Sequence, residues 1–202
     1  MKQAAQSLSA IILVALLAVT LPPSLPAHEG QAGADKERGE EYSQPQSKAM
    51  EEGDAAPTFV LVDQDRKRIA LSDLNGRPRF LTFIHTHCKD VCPLILRNRR
   101  QLEQQVEPAI GTRIIFLAVT MDPEHDSPKV LKAFIRKTGV DTKDLHLLTG
   151  DVQTVRKVLN EYNIGVVRDA TTGYVEGHST VGYAIDKEGI IKKIYNFSFE
   201  QL

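Results

Sequence analysis

The strongest constraint on the fold is a nearly uninterrupted apolar run, RIIFLAVTM, at residues 113–121. A strand that is apolar on both faces belongs inside a sheet that is covered on both sides. A second β-rich run, RFLTFIHT at residues 79–86, is long enough for another central strand, and a third, LHLLTG, begins at Leu145. These three runs predict a sheet that is buried between layers of helices.

Segments with helical spacing separate these runs. Apolar residues recur at helical intervals from residue 92 to 106. Ser127 followed by Pro128, with Gly139 at the far end, is typical of a helix with a serine N-cap, a first-turn proline and a glycine stop. Asp151 is the predicted cap of one more helix. Strands that alternate with helices predict an α/β fold with parallel strand pairs.

Shorter β-type runs flank this alternation. TFVLV and IALSD precede the first central strand, and HSTVGYAID and IIKKIYNF follow the last helix around a KEG turn, which is typical of a hairpin. We therefore expect one central mixed sheet flanked by helices, with added strands on its N-terminal side.

The first 27 residues have the pattern of an export signal. Lys2 precedes an apolar run centred on IILVALLAV, and PPSLPA follows it. The run is shorter than the roughly 20 residues of a membrane-spanning helix, so cleavage after Ala27 is favoured over an uncleaved anchor. No cysteine near the end of the run could carry a lipid. We expect the folded part in the periplasm or at the outer face of the cytoplasmic membrane.

Residues 28–55 are rich in Gln, Glu, Gly, Ser and Ala and nearly lack aliphatic and aromatic side chains. Such a segment buries too little apolar surface to offset its conformational entropy, so it is predicted to be a flexible linker. One globular domain is expected at residues 56–202. The net charge of −1 gives no general attraction to nucleic acid, and a membrane is expected as a partner only through an uncleaved N-terminus.

The chain has two cysteines, Cys88 and Cys92, in the segment THCKDVCP directly after the first central strand. Four residues apart on a helix, their sulfur atoms share one face, and a helix N-terminus favours thiolates. A disulfide across so short a loop would contribute little stability. Because thiolates both attack disulfides and bind soft metals, the pair is interpreted as a metal clamp or a redox couple, and the spacing leaves both open.

Histidines supply further candidate ligands. His178 precedes a predicted strand, in a turn that this order of elements permits at the same end of the sheet as the cysteines. His85 and His87 alternate before the first cysteine and could assist metal entry or shift the thiol pKa values, although rim positions are the favoured interpretation. His125 is interpreted as a surface residue rather than a distal metal contact, and His146 as structural.

Two polar segments have structural and functional interpretations. MDPEHDSP is typical of turns and helix caps; alternatively, Asp122 lies at the end of the strand beside the cysteine strand and orients a ligand or recognises a partner. RNRRQ, at residues 97–101, is interpreted as a solvated basic face; the alternative is a surface that docks an acidic partner or an electron carrier.

The segments FIHTHCKDVCP, VTMDPEHDSP and GHSTVGYAIDKEG occur in the order and approximate spacing of the Sco/SenC family, which the chain resembles over residues 57–196. The resemblance implies a thioredoxin-like fold and a role as a copper-binding assembly factor for cytochrome c oxidase. It also implies that Cys88 and Cys92 supply two copper thiolates and that His178 supplies an imidazole. Asp122 is implied to support the site.

The function implied by the resemblance is that of a metallochaperone, a binding protein rather than an enzyme. It delivers copper, as Cu(I), Cu(II) or both, to the dinuclear centre in the copper-containing subunit of cytochrome c oxidase or to another cuproprotein. The alternative is a thiol–disulfide oxidoreductase that reduces the cysteines of such a partner and is itself reduced by a thioredoxin-like protein. A peroxiredoxin-like peroxidase is disfavoured because the cysteine motif differs. His85 stands where the family commonly has an aromatic residue, and Lys89 where it often has a proline.

Overall fold

The structure of the chain is a computed structural model that describes residues 40–43 and 45–197. The predicted leader, residues 1–27, lies outside the described residues. Within the described part, no helix combines the length and apolar character needed to cross a membrane. The strands are β1 Glu40–Ser43, β2 Val60–Asp63, β3 Arg68–Ala70, β4 Arg79–Ile84, β5 Ile115–Thr120, β6 Leu145–Thr149, β7 Val166–Asp169, β8 Val175–His178, β9 Val181–Ile185 and β10 Ile191–Asn196; the α-helices are α1 Val91–Arg97, α2 Arg99–Ile110, α3 Pro128–Thr138 and α4 Val152–Glu161.

The central sheet has seven strands in the order β10-β9-β4-β5-β6-β2-β3. The three strands in its middle, β4, β5 and β6, run parallel, and the flanking pairs are antiparallel. Every residue of β4 and β5 is buried, as the apolar runs predict. The mixed sheet, its added N-terminal strands and the C-terminal hairpin are therefore confirmed.

Helices cover both faces of this sheet. The helices α1, α2 and α3 pack against one face, where Phe80 and Phe116 belong to a shared apolar cluster. The helix α4 packs against the other face, which includes Leu81 and Leu117. Adjacent residues of a strand point to opposite faces of the sheet. The strands β4 and β5 therefore contribute side chains to the apolar clusters on both faces.

The predicted helix caps are present. The hydroxyl of Ser127 accepts a hydrogen bond from the Val130 N–H, and Gly139 ends α3 with a φ of 69° in the left-handed region. The carboxylate of Asp151 accepts a hydrogen bond from the Thr154 N–H at 2.9 Å and caps α4. These caps confirm the predicted start of both helices and the predicted end of α3.

The helical spacing predicted from residue 92 to 106 is confirmed, with a single turn residue, Asn98, between α1 and α2. The buried residues of the two helices follow one another at helical intervals across Asn98, so Arg99 and Glu103 lie on the same interior face as Cys92 and Leu102. The charged groups of Arg99 and Glu103 lie 3.7 Å apart, and Asp141 lies 3.6 Å from the Arg99 guanidinium. The interpretation of residues 97–101 as a solvated face is therefore wrong for Arg99, while Arg97 and Arg100 are exposed.

A second, three-stranded sheet has the order β1-β7-β8. The hairpin of β7 and β8 follows α4 and ends at His178, and its mixed polar sequence gave no strand prediction. The strand β1 pairs with β7 and lies within residues 28–55. Gln46 and Ser47, which also lie in that range, donate hydrogen bonds to Asn160. The bounds of leader, linker and domain stay predictions.

Candidate metal centre

The loop between β4 and α1 positions the two cysteines. Cys88 lies in this loop and is half-buried, whereas Cys92 is the second residue of α1 and is fully buried. The backbone N–H of Cys92 donates a hydrogen bond to the sulfur of Cys88 at 3.3 Å. Both are free thiols. The structure thus brings the predicted pair together at the end of the central strand.

The two thiols differ in proton affinity. The Cys92 thiol donates a hydrogen bond to Cys88, and this bond, supported by hydrogen bonds from His178 and His85, holds the pKa of Cys88 well below its ordinary value despite the opposing effect of burial. The same hydrogen bond, burial and the charge of Cys88 raise the pKa of Cys92 well above its ordinary value. Cys88 is therefore the thiolate of the metal-free pair, and Cys92 is the thiol.

The hairpin of β7 and β8 brings His178 to the cysteines. One ring nitrogen of His178, one ring nitrogen of His85 and the sulfur of Cys92 all lie within 4.8 Å of one another. The Nδ1 atom of His178 lies 3.0 Å from the carbonyl oxygen of Ser179. When Nδ1 donates its proton to this carbonyl, the lone pair of Nε2 is available to a metal, an arrangement typical of metal-binding histidines.

His85 is an interior residue of this site. Its side chain is only 5% exposed, so the interpretation as a rim residue is wrong. Its ring lies 5.3 Å from the ring of His178, nearly perpendicular to it. Its Nδ1 atom is buried and has no hydrogen-bond partner among the described residues. The position directly after β4, a strand buried on both faces, is the signal that would have identified it.

Asp122 contacts the hairpin rather than the cysteines. It is 1% exposed, and its carboxylate accepts a hydrogen bond from the Arg168 guanidinium at 2.8 Å. The Nδ1 atom of His125 lies 3.0 Å from each oxygen of the same carboxylate. Arg168 belongs to β7 and also donates to the Met121 carbonyl at 2.8 Å. Asp122 therefore anchors the hairpin that ends at His178.

Asp126 is the aspartate that supports the cysteine loop. Its carboxylate accepts hydrogen bonds from the backbone N–H of Thr86 at 3.1 Å and from the hydroxyl of Thr120 at 2.6 Å. Burial raises the pKa of Asp126 despite these hydrogen bonds. The negative charge of Asp126 also contributes to the raised pKa of Cys92. The sequence identified this motif but assigned the supporting role only to Asp122.

Three stacked rings join the loop to the hairpin. The ring of Tyr174 lies 3.6 Å from the exposed His87 and 4.0 Å from His125, measured between centroids. His87 is therefore a rim residue, as expected, and His125 packs under the hairpin and bonds to Asp122. His146 has a structural contact, as predicted, because its Nδ1 lies 3.0 Å from a carboxylate oxygen of Asp63.

The donors gathered here fit a soft or borderline metal ion. Two thiol sulfurs and two imidazole nitrogens are ligands that Cu(I), Cu(II) and Zn(II) prefer, whereas Mg²⁺ and Ca²⁺ take oxygen ligands. The described residues give one group of three such side chains within ligand distance, namely His85, Cys92 and His178. Cys88 lies beside this group, because its sulfur accepts a hydrogen bond from the backbone N–H of Cys92 and it lines one groove together with His85 and His178.

The fold and the site together define a thioredoxin-like protein with a candidate centre for a soft metal ion. A family model described as SCO1/SenC matches residues 47–201, and the chain belongs to that family. The SCO2-like protein of Rickettsia typhi is 30% identical over an alignment of 151 positions, which covers 68% of this chain and 68% of that protein. The chain covers 61% of a bovine SCO2 homolog and 41% of an Arabidopsis thaliana SCO1 homolog.

Solved structures agree with this assignment. A SCO1/SenC family lipoprotein from Bacillus anthracis is 30% identical, with a TM-score of 0.60, over 72% of this chain and 89% of that one. ScoI of Bradyrhizobium japonicum, solved with copper bound, is 25% identical with a TM-score of 0.60, over 71% of this chain and 90% of that one. The predicted α/β, thioredoxin-like fold is confirmed.

Proposed function

We propose that this protein is an exported copper-binding protein that delivers copper to the dinuclear centre in the copper-containing subunit of cytochrome c oxidase, or to another cuproprotein. Cys88 and Cys92 bind the ion as thiolates and His178 binds it as an imidazole. Asp122 supports the site indirectly, because it holds Arg168 and thereby the hairpin on which His178 lies.

The main support for this proposal is that the hairpin of β7 and β8 places His178 beside the cysteine loop. Cysteines and histidine come from separate segments of the chain, yet a nitrogen of His178 lies within 4.8 Å of the Cys92 sulfur. A structural disulfide would need no such histidine. The copper-bound relative described above supports copper among the metals that this donor set accepts.

The site opens to the surface, as transfer of an ion requires. A groove of about 650 Å³ is lined by residues of both the loop and the hairpin, including Cys88 and His178. A receiving protein that enters this groove meets two of the proposed ligands directly. The third, Cys92, is fully buried and anchors the ion from below.

An exported location suits this function. The leader pattern at residues 1–27 supports export, and the Bacillus anthracis relative is a lipoprotein. We place the folded domain in the periplasm or at the outer face of the cytoplasmic membrane, where copper subunits of oxidases are accessible.

Copper titration of the reduced full chain tests the proposal. Stoichiometry and Cu(I) affinity are compared for the wild type, His178→Ala and, as a control, His87→Phe, which keeps a ring stacked on Tyr174. We expect one copper per chain in the wild type and the control, and affinity at least about tenfold weaker in His178→Ala, because even partners of metal ligands contribute that much. Equal affinity in all three proteins would remove His178 from the site.

Thiol–disulfide exchange is the second candidate, because the pKa of Cys88 is lowered while that of Cys92 is raised. The Cys88 thiolate would attack a disulfide of the partner and release one of its thiols. Cys92 would then break the mixed disulfide, so the partner gains two electrons and the Cys88–Cys92 disulfide forms. A thioredoxin-like dithiol would restore the reduced pair.

The two candidates differ in their dependence on His178. Reduction of a disulfide substrate by the full chain should be little changed by His178→Ala, whereas copper binding should be strongly weakened. A reduction rate that falls with copper affinity in this variant would argue against independent redox chemistry.

A further inference from the structure

His85 lies at the centre of the site, although the proposed function gives it no role. We propose that His85 is a fourth metal-binding residue, which together with Cys92 and His178 retains the ion while Cys88 is exchanged for a thiolate of the receiving protein. This inference rests on the proposed function and adds the order in which the ligands are released.

The burial of His85 needs an explanation. Its side chain is 95% removed from solvent, and its Nδ1 atom has no hydrogen-bond partner among the described residues. A buried nitrogen without a partner destabilises the folded state, so native structures seldom leave one unsatisfied. An imidazole that faces thiols and a second imidazole offers its lone pair to a metal ion, and binding would remove this cost.

The distances between donor atoms divide the four candidate ligands into a group of three and one neighbouring residue, Cys88. The donor atoms of His85, Cys92 and His178 lie mutually within 4.8 Å. The Cys88 sulfur accepts a hydrogen bond from the backbone N–H of Cys92 at 3.3 Å but is not a member of that group. The three side chains therefore form a nearly assembled site without Cys88.

Exposure separates the two cysteines. Cys88 is half-buried and lines two surface grooves, of about 640 and 650 Å³. Cys92 has no exposed surface and lines neither groove. Of the two thiolates that bind the ion, Cys88 is therefore the one that an incoming thiolate can displace from solvent.

The exchange is a ligand substitution that leaves the oxidation state unchanged. The thiol of the receiving protein loses its proton, and its sulfur forms a bond to the ion. The bond between the ion and Cys88 breaks, Cys88 leaves as a thiolate, and the proton of the incoming thiol passes to solvent. During this step His85, Cys92 and His178 keep three bonds to the ion, so it is never released to water.

Cu(I) competition and X-ray absorption at the copper edge test the proposal on the full chain. The first method compares affinities against a chromophoric Cu(I) chelator, and the second counts sulfur and nitrogen donors. The variants are His85→Phe, Cys88→Ala and Cys92→Ala, with the exposed His87→Phe as the matched control on the same loop. The donor count of the wild type requires no variant and is independent of any folding defect.

We expect two sulfur and two nitrogen donors in the wild type. His85→Phe should lose one nitrogen donor and weaken Cu(I) binding at least about tenfold, while His87→Phe should behave as the wild type. Cys88→Ala should keep one copper per chain with one sulfur and two nitrogen donors. Cys92→Ala should lose the ion, and so should the double variant His85→Phe/Cys88→Ala.

Two results would overturn the inference while the proposed function stands. One is a wild-type site with a single nitrogen donor and unchanged affinity in His85→Phe, although His178→Ala binds weakly. The other is equal loss of copper in Cys88→Ala and Cys92→Ala. Absence of copper binding in the wild type would refute the proposed function and this inference together.

Discussion

Replacement of Arg168 by methionine should separate the hairpin from the central sheet. The guanidinium of Arg168 donates to Asp122 at 2.8 Å and to the carbonyls of Met121 and Gly173 at 2.8 and 3.0 Å. The side chain of Arg168 is 11% exposed and that of Asp122 is 1% exposed. Methionine keeps the apolar part of the side chain but leaves the Asp122 carboxylate buried without its cation.

Removal of one partner from a buried ion pair costs about 3–5 kcal/mol. We expect about 3 kcal/mol for Arg168→Met, at the lower end of that range, because His125 still contacts Asp122. Arg156 provides the control, since it contacts Glu124 at 3.0 Å, as Arg168 does at 3.3 Å, but is 57% exposed. Arg156→Met should cost no more than about 1 kcal/mol.

Urea unfolding of the metal-free full chain measures the loss of unfolding free energy in Arg168→Met and in Arg156→Met. The Cu(I) affinity of each variant measures the effect on the metal site. Because β7 pairs with β8, which ends at His178, Arg168→Met should also weaken copper binding, whereas Arg156→Met should not. A free energy of unfolding that falls equally in both variants would refute the view that Arg168 anchors the hairpin. Normal copper affinity in an unstable Arg168→Met protein would refute its role in positioning His178.

Three further predictions concern the thiols, the loop and the sheet. Iodoacetamide should modify metal-free Cys88 well before Cys92, and Cys88 should stay reactive at a pH below the ordinary pKa of thiols, because its own pKa is lowered; equal labelling in peptide mass maps would contradict this. Burial raises the pKa of Asp126 above the ordinary 3.8, so its carboxyl group binds a proton more tightly in the folded state than in the unfolded state. Urea unfolding across pH should show the wild type losing stability relative to Asp126→Asn as pH rises through that pKa; a constant difference would contradict it. A methyl group at Gly182 would lie 2.4 Å from the Phe80 ring, so Gly182→Ala should lower the free energy of unfolding by about 1–3 kcal/mol, and an unchanged urea midpoint would contradict the packing argument.

The central sheet could be predicted because its signals are local. The strands β4 and β5 are apolar throughout, and Ser127, Gly139 and Asp151 mark the ends of helices by their own side-chain and backbone chemistry. The burial of Arg99 could not be predicted in this way. Its position follows the helical spacing, but a charged side chain is ordinarily exposed, and only the packed structure shows its partners Glu103 and Asp141.

The site was predictable in part for a related reason. Two cysteines beside a predicted helix start are a local signal, and the resemblance to a family implied His178. The burial of His85 depends on the hairpin that covers it, and that hairpin has too mixed a sequence to be predicted as strands. The roles of Asp122 and Asp126 likewise depend on Arg168 and Thr86, which lie far from them in sequence.

The position of His178 on a hairpin outside the central sheet has a consequence for the dynamics of the molecule. An ion shared by this histidine and the cysteine loop cross-links two segments that are distant along the chain. A ligand that binds only the folded state at 1,000 times its dissociation constant stabilises that state by about 4.1 kcal/mol. Local opening of the hairpin breaks this cross-link, so its amide protons should exchange more slowly once the ion is bound. A partner that docks on the hairpin then meets a more ordered surface on the loaded protein than on the empty one.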